Sequence, residues 1–248
     1  QNMNEVSFFF AQGLSGLEES SDFVSEIMTG SNRDHYGIEF GVESKISSTL
    51  KASGAVALGE YVYTNNPNLY LTSDDIRGFA DYGTTYIEKY KVPGTPQRGY
   101  SLGLEYRNPN YWWLSANGNY LSNNYIDISP ILRTQKFYVN PDDPDGFPFG
   151  NASENEARRL LTQEKFDELF LLNFFSGKSW KIDNYYIGVI LSVNNILDNR
   201  YKSGGYEQSR NANFNLLKED IDSSSRIFGP RYWYGYGRTY YLNIYFRF

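Results

Sequence analysis

The chain has 248 residues, with 23 Lys and Arg against 29 Asp and Glu, for a formal charge of −6. That balance, with no dense basic block, disfavours nucleic acid as a partner, because phosphate binding needs a positive face that releases counterions. Tyr, Phe and Trp number 23, 17 and 4, against 1 His and no Cys. Disulfides, thiolate metal sites and multi-histidine centres are therefore excluded, and a Ser/His mechanism would rest on His35 alone. Neither an enzyme nor a bound cofactor or metal is expected.

The longest apolar stretch, around 169–175, is interrupted by Asn173 and is too short to cross a bilayer as a helix. The opening QNMNEVSFFFAQG has neither the basic leader nor the apolar core of a signal peptide. A polar, aromatic, Gly-rich chain with thinly spread apolar residues fits a transmembrane β-barrel, in which every second residue of a strand meets lipid.

In chain order, Val6, Phe8 and Phe10 predict a short first strand. Residues 35–46 alternate strictly, with Tyr36, Ile38, Phe40, Val42 and Ile46 on one side and His35, Glu39, Glu43 and Lys45 on the other. Residues 50–61 set Leu50, Ala52, Val56 and Leu58 against Ser53, Gly59 and Tyr61. Residues 100–107 set Tyr100, Leu102, Leu104 and Tyr106 against Ser101, Gly103, Glu105 and Arg107. Residues 112–120 continue with Trp112, Leu114, Ala116 and Tyr120 against Trp113, Ser115, Asn117 and Asn119. Residues 166–175 are apolar on both sides, so Phe170, Leu172 and Phe174 compete with Leu169, Leu171 and Phe175 for the greasy face. Residues 185–194 place Ile187, Val189, Leu191 and Val193 together, and 240–248 place Tyr240, Leu242, Ile244, Phe246 and Phe248 together.

The connections alternate in length. Tight turns are expected near Ser47-Ser48, at Asn108-Pro109-Asn110 and around Gly177, and long polar excursions at 65–97, 128–164 and 198–230. Short turns at one end and long loops at the other characterise outer-membrane barrels, whereas a soluble sandwich has turns at regular, closer spacing. Tyr36, Tyr100, Tyr106, Trp112, Tyr120 and Tyr240 stand at the ends of apolar faces, where interfacial girdles belong. Ser153 followed by Glu156 fits a capping box and predicts a short helix within the second excursion. The last strand then runs inward, with Phe248 at the periplasmic rim.

Residues 192–201, SVNNILDNRY, resemble the VNNLFDxxY segment on the penultimate strand of TonB-dependent outer-membrane receptors, with Leu197 where Phe is usual. The terminal YYLNIYFRF resembles the C-terminal strand of that family. DHYGIEFGVESKI, VPGTPQRGYSLGLEYRNPNYWW, SGGYEQSR and RYWYGYGRTYY look like its Bacteroidetes branch, so the resemblance spans nearly the whole chain. It implies an all-β fold in which residues 1–248 are the C-terminal part of a transmembrane antiparallel barrel, about eight strands of a 22-stranded wall. The plug domain and the energy-coupling box of the family are not found in these residues.

The implied function is TonB-dependent uptake of a scarce ligand across the cell outer membrane, this segment supplying wall and extracellular loops. Its partners would be outer-membrane lipid, the TonB complex through an N-terminal plug, and a surface lipoprotein or larger envelope complex. The alternative is a non-transporting barrel serving as a structural or adhesion subunit. Tyr61, Tyr63, Tyr70, Trp233 and Tyr236, taken as exposed loop aromatics, and Glu39, Glu43 and Tyr241 on the lumen side are the candidate ligand-binding residues. Asn140 to Gly146 cluster carboxylates, but Phe147 and Pro148 stand where a calcium loop needs a ligand and a Gly. His35 beside Asp34 reads as a polar strand cap.

Overall fold

Strands with an apolar and a polar side satisfy their backbone groups only by pairing edge to edge, and here they do so in one long series. A computed structural model of the protein describes residues 3–11, 22–73, 78–140, 143, 145, 147–208, 213–227 and 229–248. Its elements are β1 (Met3–Ala11), β2 (Asp22–Ser31), β3 (Arg33–Lys45), β4 (Leu50–Tyr63), β5 (Asn68–Ser73), β6 (Ala80–Thr84), β7 (Arg98–Asn108) and β8 (Trp112–Ser122). Two 3-10 turns follow at Ile131–Arg133 and Gln135–Tyr138, then α1 (Glu154–Leu160), β9 (Leu169–Ile182), β10 (Tyr185–Asn194), β11 (Lys202–Tyr206), α2 (Phe214–Asp222), β12 (Arg231–Tyr234) and β13 (Thr239–Arg247).

The fold is mostly β, in antiparallel sheets. A seven-stranded sheet runs β13-β10-β9-β8-β7-β4-β3, a four-stranded sheet runs β1-β2-β5-β6, and β11 pairs with β12. Among the described residues no sheet closes into a barrel, and β3 and β13 are the two edges of the seven-stranded sheet. Register carries one face across it: Phe40 faces Val56, Val56 faces Tyr100, Tyr100 faces Tyr120, and Tyr120 faces Phe170. This row puts Phe170, Leu172 and Phe174 on the greasy side and leaves Leu171 and Phe175 opposite Asn119 and Ser115. Leu191 and Leu242, and Val189 and Ile244, extend the same face to the far edge.

Three sequence expectations change. The strand placed at 166–175 runs instead through Leu169–Ile182, and Gly177 lies inside it opposite Trp113. The turn sits at Asp183-Asn184, where Asp183 adopts a φ of 53°. The strand extends past Phe175 because β8 supplies backbone partners as far as Lys178 and β10 as far as Ile182. The first strand does not join the series: β1 pairs with β2 in the four-stranded sheet, so the wall-like sheet has seven strands, not eight. The excursions are also more structured than polar loops, since they contain β5, β6, α1, β11 and α2, with β12, the partner of β11, following directly at Arg231. The predicted helix is present, with the Ser153 hydroxyl accepting from the Glu156 amide, whereas α2, capped by Asn213, was not anticipated.

The apolar face of the large sheet is uncovered: Leu102 is 73 % exposed, Ile244 69 % and Ile38 66 %. The hydrophobic core lies elsewhere, in a lobe made by the four-stranded sheet and the long connections. Val24, Leu69, Leu71, Ile87 and Phe214 are fully buried there, and Tyr63, at the end of β4, joins that cluster from the large sheet, with Tyr61 packed against it.

Two features hold sheet and lobe together. The β3–β4 pairing, which reaches Arg33 opposite Tyr63, resumes between β2 and β5 at Thr29 opposite Asn68, so one long ribbon crosses from sheet to lobe. At the crossing the Asn32 amide donates to Asn65 Oδ1 at 2.8 Å, and Asn65 Nδ2 donates to the Gly30 carbonyl at 2.7 Å. The second feature is the segment after β10. Asn195, buried with a φ of 50°, donates through Nδ2 to the carbonyls of Asn199 (2.9 Å) and Tyr236 (3.2 Å) and accepts from the Asn199 amide (3.1 Å). Asp198 accepts from the Arg238 amide at 2.8 Å, and Asn199 Nδ2 donates to the Phe170 carbonyl at 2.7 Å. The receptor-like stretch is thus a turn that ties β9, β10 and the entry to β13.

Replacing Asn195 removes its three hydrogen bonds to the backbone of Asn199 and Tyr236, a loss of about 2 to 3 kcal/mol. Asn195→Gly keeps the left-handed backbone free of a Cβ and should cost about 1 kcal/mol less than Asn195→Ala. Urea unfolding of both variants checks the order; equal stability for Ala and the native residue would remove the turn from its structural role.

Candidate functional site

Two surfaces combine unusual chemistry with position. The first is the uncovered face, which ends in aromatic rows. At the lobe end the rings of Tyr100 and Tyr120 lie 5.9 Å apart, the Tyr36 hydroxyl donates to Glu60 at 2.6 Å, and that of Tyr120 bonds Glu168. At the short-turn end Tyr106 and Trp112 lie 5.2 Å apart, and Tyr185 stacks on Phe246 at 5.5 Å. The opposite face is more polar, though it carries Trp113, Leu171, Phe175 and Tyr245: Glu43 pairs with Lys51 and Glu105 with Arg107, each at 2.6 Å, and Asn117 donates to Ser101 at 2.9 Å.

The second surface is a cleft of about 520 Å³ in the lobe, between the β1–β2 hairpin, the 127–130 segment and the strands β11 and β12. It shares Ser7, Glu26, Asp127, Ile128 and Pro130 with an inner chamber of about 120 Å³ that also touches Met28, Tyr63 and Ile87. Glu26 is 5 % exposed; its Oε1 accepts from the Ser7 hydroxyl at 3.0 Å, and its Oε2 has no hydrogen-bond partner among the described residues. Burial pushes its carboxyl up to about 7, against the partial relief of the Ser7 bond. Asp127 is solvent-exposed by surface area yet ringed by protein atoms; that desolvation, and then the charge of Glu207, raise its carboxyl to about 6.

Two of the cations nearby are committed. Arg133, 4 % exposed, grips Glu207 with both ends of its fork at 2.5 and 2.9 Å, donates to the carbonyls of Ser129 and Leu161, and lies 4.5 Å over the Tyr90 ring. Arg33 pairs with Glu5 and donates to the Tyr63 hydroxyl at 3.1 Å. Among the described residues no three His, Asp or Glu side chains are placed to hold a metal ion. No protein-family model, curated protein or solved structure matches the chain. The chemistry of these surfaces is therefore read from their geometry alone.

The sequence-nominated residues do not converge. Glu39 and Glu43 stand on the polar face of β3, and Tyr241, on the same face, lies at the other edge of the sheet. Tyr61 stacks on His35 at 4.9 Å, and Tyr70 meets Phe79 edge-on. Tyr63 is corrected from an exposed aromatic to a core residue, 5 % exposed, because β4 continues into the lobe instead of ending at its surface. Trp233 alone lines the cleft, with Tyr206 at 5.5 Å, and Tyr236 is fully outside it. Of the acidic turn, Pro141, Asp142, Pro144 and Gly146 lie outside the described residues, as do Ser209 and Arg210 of SGGYEQSR. Asp143 accepts from the Asp145 amide, and Glu154 pairs with Arg158 instead of joining that turn.

Glu26 left a trace in the sequence: it sits between Val24 and Met28 on the buried side of an alternating strand, where a charge is out of place. Arg133, Asp127 and Glu207 left none, since their meeting depends on segments far apart in the chain.

A carboxyl raised from 4.5 to about 7 in the fold binds its proton more tightly folded than unfolded. Its contribution is fully present below about pH 4.5 and is lost as pH rises through 7, by an amount on the order of 3 kcal/mol. Glu26→Gln should match the native protein at pH 4.5, exceed it at pH 8, and flatten the curve between. Thermal unfolding of the lobe across that range measures it, and parallel curves for the two proteins would contradict a strained buried charge.

Proposed function

We propose that this chain forms part of the wall and the extracellular lobe of an outer-membrane β-barrel, and that the whole protein is a TonB-dependent receptor importing a scarce ligand. The observation that carries the reading is the seven-stranded sheet whose continuous apolar face has no protein over it, while the core sits in a lobe at one end. A soluble two-layer protein would cover that face, since exposed apolar patches beyond a few hundred Å² mark interfaces or membranes.

Three further features support it. From Tyr36 to Ile46 the apolar side of β3 runs about 34 Å, or about 25 Å in height at the usual strand tilt, the thickness of a lipid-facing band. Aromatic rows border that band at both ends, and at the lobe end their hydroxyls meet carboxylates, as at a membrane interface. All three long connections leave from the same end of the sheet, and the other end has only the turns at 46–49, 109–111 and 183–184. The likeness of residues 192–201 and of the terminal strand to TonB-dependent receptors supplies the transport part of the reading. The free edges of β3 and β13 require strands from elsewhere in the wall, because backbone groups left unpaired in hydrocarbon cost several kcal/mol each.

Protease added to intact cells should cut within 65–97, 128–164 and 198–230, and cutting only after the outer membrane is opened would invert the orientation. Uptake lost equally on deletion of this gene and of the TonB complex supports import; a protein that reaches the outer membrane but leaves uptake unchanged is the non-transporting subunit.

Arg placed at Leu242, Ile244 or Leu102 should destabilise the folded protein in lipid by about 2 to 4 kcal/mol, whereas Arg at Asn243 or Ser101 should be mild. A denaturation series with equal damage on both faces would indicate a covered, soluble sheet.

A further inference from the structure

Four carboxylates, Glu5, Glu26, Asp127 and Glu207, line the lobe cleft and its inner chamber. Arg33 is committed to Glu5 and Arg133 to Glu207. That leaves Glu26 and Asp127 without an ion-pair partner among the described residues. A third guanidinium, Arg231, is exposed on the rim and pairs with none of the four. The site therefore has a surplus of negative charge, and Glu26, which lines both cavities, is buried with one oxygen that has no hydrogen-bond partner among the described residues.

The shape is as specific as the charge. Besides Glu5, Glu26 and Asp127 the chamber wall is mostly apolar, with Val6, Met28, Tyr63, Ile87 and Ile128 among its residues, which suits a short aliphatic stem. An apolar cavity of about 150 Å³ holds benzene, so a chamber of about 120 Å³ takes about five heavy atoms. Outside it, Tyr206 and Trp233 line the larger cleft with their rings 5.5 Å apart and tilted at 41°, and aromatic rings favour a cation or a flat body beside them.

We propose that this cleft binds an aliphatic primary ammonium, with its head in the inner chamber between Glu26 and Asp127, its stem running out past Ile128 and Pro130, which line both cavities, and the rest of the ligand against Tyr206 and Trp233. The ammonium supplies the hydrogen-bond donors that Glu26 lacks and the positive charge that the two committed arginines do not. Its source is either a free diamine or the lysine side chain of a peptide, which present the same head and stem. The inference goes beyond the import reading and does not rest on it, since it concerns the lobe whether or not the wall transports.

Because both free carboxyls are raised toward neutral pH, they are largely ionised at pH 8 and largely protonated at pH 5.5, while an alkylammonium keeps its charge throughout. Glu5 and Glu207 add to the negative field, and Arg33, Arg133 and Arg231 oppose it.

The test is calorimetric titration of the full-length protein in nanodiscs at pH 8 with cadaverine, with Nα-acetyl-lysine methylamide, and with 1,5-pentanediol as the neutral isostere. At least one amine should bind saturably at a single site and the diol should not. A preference for the lysine derivative identifies a peptide source; equal or better binding of cadaverine identifies a free amine. Glu26→Gln should weaken binding tenfold or more, and a fall to pH 5.5 should do the same. Arg231→Gln, on the exposed rim, should tighten it several-fold, an effect that general loosening of the lobe does not produce. Absence of saturable binding by either amine, diol binding equal to cadaverine, or an unchanged affinity in both variants overturns the proposal. Failure of the protease and uptake assays with amine binding intact would leave this site standing and remove only the import reading.

Discussion

The constraint that organises the molecule is the antiparallel pairing of seven strands whose alternate, apolar residues all turn to the same side. Strand pairing satisfies the backbone but does not by itself bury side chains, and the register from Phe40 across to Phe170 lines those side chains up into one surface. A core made from that surface would need a second layer, and none of the described elements provides it. The burial that stabilises the protein against the entropy of its ordered chain is instead concentrated in the lobe, around Leu69, Leu71, Ile87 and Phe214.

The two parts are held in one piece by continuity of strands more than by packing between layers. The β2–β3 and β4–β5 runs are nearly unbroken, with Asn32 and Asn65 bridging the one irregular step. Close approach there matters: a Cβ at Gly37 would lie 2.5 Å from the Leu58 carbonyl oxygen, so a glycine lets β3 and β4 run tightly together just before the crossing. On the far side of the sheet the turn around Asn195 and Asp198 does the equivalent work with side-chain hydrogen bonds. Its asparagines suit the place because Asn tolerates positive φ and its amide caps backbone groups that no strand reaches.

Within the lobe, polar burial is distributed unevenly. Arg133 and Glu207 bury together with a bidentate bond and two backbone carbonyls, so their desolvation is offset. Glu26 is buried with a single hydroxyl partner, so its desolvation is not offset and appears as a carboxyl raised to about 7. A fold tolerates such a residue more easily where a cleft reaches it than in a closed core.

Much of this was legible from residue order alone. Although β2, β5, β6 and β11 were not anticipated, period-two patterning located the seven strands of the large sheet and the apolar sides of all but β9, because alternation is a local property of the extended chain. The same holds for the tight turn at Asn108 to Asn110 and for the helix capped by Ser153. The strand at 169–182 was not fully legible, since it is apolar on both sides and only the register against β8 and β10 assigns its faces and its length. Nor was the destination of residues 3–11: their alternation suits either sheet, and which edge they join depends on the partner available, β2, rather than on their own sequence. The lobe core and the carboxylate cleft belong wholly to tertiary structure. Tyr63 and Ile87, or Arg133 and Glu207, become neighbours only after connections of dozens of residues fold back. Sequence by itself determined which residues alternate and where the chain turns; the fold decided what each face meets, because contact between distant segments is not encoded in local periodicity.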